Sequence, residues 1–303
     1  MDKIKKLMNN FYYDEVILSN DKVTELREKK NINITRLKDG INKYNADNNT
    51  DYKLHENLEQ GSIAMSTAIE PEYDDFDIDV AIIFEKEKIP SSTDEMKDLI
   101  IDFLKPYNYY FKENPKKKNN CIRIEYQDNY HIDFAVYRVS NGYYEHCGLN
   151  WTERNPRSIN NWFHEQNNLY DDKLRKITRL IKYFSKTRKD WDICGGFIIT
   201  ILVNETLANM TLDVDIDKLL LDAIKSISNR INSNTSVKNP TNNQELINDD
   251  KNKKRLKNLK EKLDEHISDI ENAYLNNDEQ DIKRKWNKFF KTDYFTSNSQ
   301  QKN

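Results

Sequence analysis

The stretch Phe76-Asp-Ile-Asp-Val-Ala-Ile-Ile-Phe84 decides the fold of this chain. Side chains alternate across a strand, so Phe76, Ile78, Val80, Ile82 and Phe84 make one unbroken apolar face while Asp77 and Asp79 point the other way. One face asks for a core; the other offers two carboxylates to a cleft. A second run, His131-Ile-Asp-Phe-Ala-Val-Tyr137, has the same parity: Ile132, Phe134 and Val136 form the buried face, and Asp133 shares its face with the small Ala135. All three acids can therefore face the same way across one sheet. Carboxylate oxygens are the hard ligands Mg²⁺ prefers, and two ions about 3.5–4 Å apart clamp the attacking and leaving oxygens of an in-line phosphoryl displacement.

An isolated Asp-x-Asp is more often a solvated pair on an open sheet face, because acidic residues are mostly exposed. Two further features shift the balance: the third acid, and the pair Gly61-Ser62, which precedes the first run by the length of a short helix and a loop. Gly61 lets the backbone turn closely. Ser62 is expected to cap a short helix over Ala64 to Ala68, leaving N–H donors and a hydroxyl aimed at a triphosphate.

Composition permits this chemistry without demanding it. The 303 residues leave room for two lobes, one third of them are charged, and 37% are hydrophobic. No run reaches the roughly 18 apolar residues of a membrane span, and Met-Asp-Lys-Ile-Lys-Lys at the start lacks the apolar core of a secretory signal, so a cytoplasmic protein without membrane contact is expected. Cys121, Cys147 and Cys194 are odd in number and scattered, which supports neither a disulfide framework nor a zinc site; His146-Cys147 has no second pair to complete a tetrahedral set. The net charge of −3 averages over local runs. Lys116-Lys-Lys118 sits in an Asn/Pro-rich loop, and Lys251 to Lys262 holds seven basic residues on an expected helix. Such runs are usually solvated faces, yet they are also how phosphate backbones are gripped.

The remaining pattern predicts an α+β fold. Val23 to Tyr44 reads as a long helix with Ile34, Leu37, Ile41 and Tyr44 on one stripe. The turn-prone stretch 70–75 leads into the first aspartate strand. Ser91 to Glu95 caps a helix carrying Met96, Leu99, Ile100 and Phe103, which Pro106 stops. Ile122, Ile124 and Tyr126 alternate with Arg123 and Glu125 and fold back onto the strand of Asp133, giving a mixed sheet with helices on one face. Past residue 150 helices dominate: Leu174 to Phe184, a uniformly apolar one from Ile193 through Val203, a stripe from Leu256 to Ile270, and a last one over Asp281 to Phe290. Two domains are expected, 1–160 with the long helix and 161–303. The Asn/Ser/Thr-rich segment 229–250 is read as a mobile loop.

Gly61-Ser62 with Thr67, Asp77-Ile-Asp79, His131-Ile-Asp133, Arg179-Leu-Ile-Lys182, Gly196-Phe-Ile-Ile-Thr-Ile-Leu-Val203, Ala273 and Trp286-x-x-Phe-Phe290 together resemble the bacterial cGAS/DncV-like nucleotidyltransferases, the CD-NTases, which make cyclic oligonucleotide signals in anti-phage (CBASS) defence. The resemblance covers nearly the whole chain. It implies a polymerase-β-like nucleotidyltransferase lobe, an α-helical C-terminal lobe and an active site in the cleft between them. It further implies that Asp77 and Asp79 bind two Mg²⁺ ions, with Mn²⁺ as a substitute, and that Asp133 completes one metal site. Gly61, Ser62, Thr67 and Lys182 would hold nucleotide. Two positions depart from the family: Ser66 stands where many relatives have Gly before the Thr, and Gly195-Gly196 replaces a phosphate-binding Ser.

The implied function is a cyclic di- or trinucleotide synthase that uses ribonucleoside triphosphates and signals to a downstream effector. An activating RNA would meet Lys116–Lys118 and Lys251–Lys262. Two other classes stay open: a template-free nucleotidyltransferase acting on a small molecule, protein or RNA end, and a non-catalytic nucleotide or RNA sensor.

Overall fold

A computed structural model of the chain describes residues 2–70, 76–128, 130–188 and 190–297. All but the first residue of the turn-prone stretch 70–75 lies outside them. The chain packs as two compact units: one holds Ser19–Ser66 and Tyr73–Asn161, the other Met1–Leu18, Thr67–Glu72 and Trp162–Asn303.

The first helix, α1 (Asp2–Phe11), belongs to the second unit. A single lobe over 1–160 does not describe this, and the reason is the apolar stripe of α1. Ile4, Leu7, Met8 and Phe11 are buried, and the Phe11 ring packs on Tyr183, Phe290, Tyr294 and Phe295 at centroid separations of 4.6–5.4 Å. Aromatic burial of this kind outweighs sequence proximity.

The sheet unit contains the long helix α2 (Asn20–Asn48), the one-turn α3 (Gly61–Ala64) and α4 (Thr93–Leu104). Ser19 caps α2 and Ser92 caps α4, each accepting a backbone N–H three residues on. α2 and α4 pack on each other so closely that a Cβ on Gly40 would lie 1.8 Å from the Phe103 carbonyl oxygen. The strands are β1 (Leu54–Glu59), β2 (Phe76–Glu85), β3 (Lys116–Lys117), β4 (Ile122–Glu125), β5 (Tyr130–Ser140), β6 (Tyr143–Cys147) and β7 (Trp151–Glu153). They run in the order β1-β2-β5-β4-β3, with β6 pairing to β5 and β7 to β6. Only β2 and β5 pair in parallel among the described strands, so the sheet is mixed as the sequence predicts. On β2, Phe76, Ile78, Val80, Ile82 and Phe84 are buried as the parity requires. Beyond Val80 the opposite face closes too, with Ala81 and Ile83 packed around Tyr137, Leu58 and Tyr144. The polar part of that face is thereby confined to the start of the strand, where the acids are.

The boundary between the units falls within α5 (Ser158–Leu169). The helical unit continues with α6 (Lys173–Lys186), α7 (Gly196–Leu207), α8 (Ile216–Ser233), α9 (Asp250–Leu275) and α10 (Glu279–Phe290). Its centre is aromatic: Phe184, Trp286, Phe289 and Phe290 are fully buried, and Phe184 stacks on Phe289 at 4.2 Å. α7 begins three residues later than its apolar run suggests, because Gly195 in extended conformation serves as its N-cap. The segment read as a mobile loop is also different. α8 runs through Ser233, and the rest is a hydrogen-bonded turn in which Leu246 N–H donates to the Val237 carbonyl and the Glu245 carboxylate accepts from the amides of Val237 and Ile247. Val237 and Ile247 are buried. Polar side chains that satisfy backbone groups locally leave no periodic signature, which is why composition alone suggests mobility.

Candidate active site

Register converts the two aspartate runs into one cluster. Across the parallel β2/β5 pair Asp79 lies opposite Asp133 and Asp77 opposite His131, while on the other side of β5 Arg123 of β4 lies opposite Asp133. Ligand atoms of Asp77, His131 and Asp133 all fall within 4.8 Å of one another. Asp77 is exposed, Asp133 is buried, and His131 Nε2 is 2.9 Å from Asp77 Oδ1. Arg123 clamps Asp133 with both arms of its fork, Nε to Oδ1 at 2.8 Å and Nη2 to Oδ2 at 2.6 Å.

Asp79 is turned toward α3. A Cβ on Gly61 would lie 1.9 Å from Asp79 Oδ2, and Gly61 has φ +64°, so this position is glycine for two independent reasons. The Asp79 main chain also accepts the Gln60 amide at 2.9 Å. Burial pushes the Asp79 carboxyl up to about 7, and the charges of Asp77 and Asp133 add to the effect. His131 moves upward as well: burial opposes its charge, but the hydrogen bond to Asp77 and that carboxylate's charge outweigh it. The bond to Asp133 raises the Arg123 guanidinium further above its usual range. Burial, then the charge and hydrogen bond of Asp133, push the neighbouring Cys121 thiol up to about 12, leaving it a proton donor rather than a nucleophile.

Crowded oxygens with excess negative charge are what a divalent cation fits. The oxygens of Asp77 and Asp133 are hard donors suited to Mg²⁺ or Mn²⁺ and meet with His131. Asp79 lies outside that set, opposite Asp133 in register, and its carboxyl is raised first by burial and then by the charges of Asp77 and Asp133.

Ser62 is the second residue of α3, and this helix differs from expectation. It starts at Gly61 with Gln60 as its N-cap, and it ends at Ala64 rather than running to Ala68. The stop is Ser66, whose φ of +51° lies in the left-handed region. The backbone thus keeps the geometry that glycine favours at this position while the side chain is serine.

Thr67 and Lys182 lie in the other unit and meet there: Lys182 Nζ donates to the Thr67 carbonyl at 2.6 Å, and both residues are buried. Beside Lys182 is a cavity of about 260 Å³ whose walls include Lys182, Lys186, Arg188, Trp191, Gly195 and Gly196 and, among the described residues, no carboxylate. A Cβ on Gly195 would meet nothing within 4 Å, so this wall is open where a serine side chain would project. The guanidinium of Arg188 lies 4.6 Å from the Trp191 ring centroid.

Sequence reasoning missed Arg123 and the pairing roles of His131 and Cys121. The strand alternation of Ile122 and Ile124 places Arg123 on the acid face, and the sequence folds its strand back onto that of Asp133, but it leaves open which residue of the hairpin lies opposite Asp133.

Residues 56–137 match the family model described as "Cyclic GMP-AMP synthase DncV-like, nucleotidyltransferase domain". Among solved structures, the chain is similar to the Vibrio cholerae DncV cyclic AMP-GMP synthase in its 3'-deoxy ATP bound form, with a TM-score of 0.78 and 15% identity over 98% of this chain and 96% of that one. It is also similar to DncV in complex with the linear intermediate 5' pppA(3',5')pG, with a TM-score of 0.75 and 14% identity over 93% of each chain. A third similar structure is E. coli MS115-1 CdnC in its HORMA-deltaN complex, with a TM-score of 0.70 and 16% identity over 94% of this chain and 96% of that one. At such identities the structural likeness establishes the fold, and the family model shows that residues 56–137 are similar to a nucleotidyltransferase domain.

Proposed function

We propose that this chain is a bacterial cGAS/DncV-like nucleotidyltransferase and acts as a cyclic oligonucleotide synthase that joins ribonucleoside triphosphates into a cyclic di- or trinucleotide and releases pyrophosphate. The observation that supports the reading is the register of β2 against β5, which sets Asp79 opposite Asp133 and Asp77 opposite His131, with the Gly61 turn against Asp79.

Asp77, Asp79 and Asp133 would hold divalent cations, two Mg²⁺ with Mn²⁺ as a substitute. Such ions would supply neutralisation of the triphosphate and polarisation of the reacting oxygens. The backbone of Gly61 and the Ser62 hydroxyl hold the donor triphosphate. Asp133 accepts the proton of the acceptor ribose hydroxyl, whose oxygen bonds to the α-phosphorus of the donor as the bond to the pyrophosphate oxygen breaks. A second, equivalent displacement closes the ring. Little covalent chemistry falls to the protein, so positioning and charge neutralisation provide the rate. In the helical unit Lys182 contacts phosphate. The basic, acid-free cavity around it offers Lys186 and Arg188 in place of the missing serine, and Trp191 as a surface for stacking a base.

The product would serve as an anti-phage signal read by an effector. An activating RNA has a harder task than the sequence suggests. Lys116 pairs with Glu113, Lys117 with Asp94 and Asp98, Lys260 with Asp264 and Lys262 with Glu265, so RNA would have to compete with carboxylates already in place. An unchanged RNA affinity after charge reversal on both surfaces removes RNA from the scheme.

The decisive experiment incubates the protein with all four ribonucleoside triphosphates and Mg²⁺ or Mn²⁺, with and without RNA. A phosphatase-resistant product, absent from the folded double variant Asp77→Ala, Asp79→Ala, is expected. A labelled RNA end, protein or small molecule instead points to the template-free transferase, and no pyrophosphate release under any mixture points to a sensor.

A further inference from the structure

Both outer acids of the cluster already have a basic side chain on them: His131 on Asp77 and the Arg123 guanidinium on Asp133. The Arg123 contact is the stronger, since its fork engages both oxygens of a buried carboxylate and its own side chain is only partly exposed. This pair is set by register rather than by chance contact, because Arg123 and Asp133 face each other directly across β4 and β5. We propose that Arg123 is a resident counter-cation of the site: it occupies Asp133 in the metal-free protein, yields at least one carboxylate oxygen when a divalent ion loads, and so sets the ion concentration at which the site fills. The inference rests on the metal-dependent reading above and deepens it.

The physical argument is competition for the same lone pairs under like-charge repulsion. A buried carboxylate without a partner is costly, so the site benefits from a guanidinium when no metal is present. The same fixed positive charge, within bonding distance of Asp133, then opposes a dication arriving at those oxygens. A guanidinium cannot deprotonate to relieve that repulsion, so it has to move. Its released fork matches a phosphate oxygen, which couples filling of the site to the arrival of a triphosphate. A merely positioning role predicts the opposite dependence, because metal sites lose affinity when a partner that orients a ligand is removed.

The test reads metal binding directly. Mn²⁺ affinity, from the electron paramagnetic resonance of free Mn²⁺ without nucleotide, is compared for the wild type, Arg123→Gln and Arg123→Lys. Arg123→Gln is expected to bind about tenfold more tightly, and Arg123→Lys, which keeps the charge but loses the fork, to fall between it and the wild type. Equal affinity for Arg123→Gln, or a loss of the roughly 10–100-fold typical of an orienting partner, overturns the proposal. If circular dichroism shows that Arg123→Gln does not fold, the wild-type Arg123 Nε–H resonance decides the matter during Mg²⁺ titration: a shift saturating with metal supports release, and an unmoved resonance refutes it. Failure here is separable from failure of the function. A wild type that binds Mn²⁺ and makes product, with unchanged affinity in Arg123→Gln, discards only the counter-cation; a wild type that binds no Mn²⁺ discards the metal site itself.

Discussion

Replacing Gly61 by alanine tests the junction of the turn and the acid cluster. The added Cβ would lie 1.9 Å from Asp79 Oδ2, 2.8 Å from its Cγ and 3.1 Å from its Cβ. Since carbon and oxygen approach to about 3.3 Å, the carboxylate must retreat by about 1.4 Å. The side chain can clear the added methyl only by swinging its carboxylate away from this position, since the Asp79 Cβ at 3.1 Å need give only slightly. A displacement of about 1 Å at a reacting centre costs on the order of 10²-fold in rate. The left-handed backbone at φ +64° adds a stability penalty of about 1 kcal/mol for any side chain. Gly142 separates the two effects: its φ is +81°, and a Cβ there meets nothing within 4 Å. Pyrophosphate release at saturating Mg²⁺ and the urea midpoint are measured for both variants. Each should lose about 1 kcal/mol of stability, and only Gly61→Ala should lose about two orders of magnitude in rate. A Gly61→Ala enzyme destabilised like Gly142→Ala but turning over at the wild-type rate would refute the placement of Asp79 in the catalytic set.

The other predictions concern stability. Burial holds His146 and His266 down to about 4, with Arg154 and Lys97 adding to the effect at the first and Arg188 and Lys288 at the second. A depressed histidine favours the folded state fully above its unfolded value of 6.5, and that contribution disappears as pH falls toward 4. At pH 5 each therefore forfeits about 2 kcal/mol, seen as a lower urea midpoint at pH 5 than at pH 7, and His266→Gln should shrink the difference. Ser66→Gly removes a left-handed serine at φ +51° and should raise the urea midpoint by the equivalent of about 0.5–1 kcal/mol; a lower midpoint would show that the serine side chain makes a stabilising contact.

Much of the site could be read in the chain because it is written in short-range parity. Asp77 and Asp79 alternate with buried residues on β2, as Asp133 does on β5, and a strand obeys that alternation whatever its neighbours are. The helix of Lys182 was equally legible from its apolar stripe. What failed were boundaries set by local hydrogen bonding and close contact: α3 ends at Ala64 rather than Ala68, α7 waits for its glycine cap, and the polar segment after Ser233 is pinned by Glu245. The placement of α1 failed for another reason, since an amphipathic helix shows that it needs a partner but not which one.

The sequence by itself determined that three carboxylates face one way from two strands, and that a glycine turn stands ahead of them. Only the tertiary structure decided that β2 and β5 lie in parallel with Asp79 opposite Asp133, and that Arg123 is the residue of the expected hairpin that lies opposite the same acid. Strand pairing joins residues far apart in the chain through backbone hydrogen bonds that are nearly indifferent to side-chain identity. The β2 partner of Asp133 is therefore fixed by the packing of the whole sheet, whereas its β4 partner needs only the register of one local hairpin.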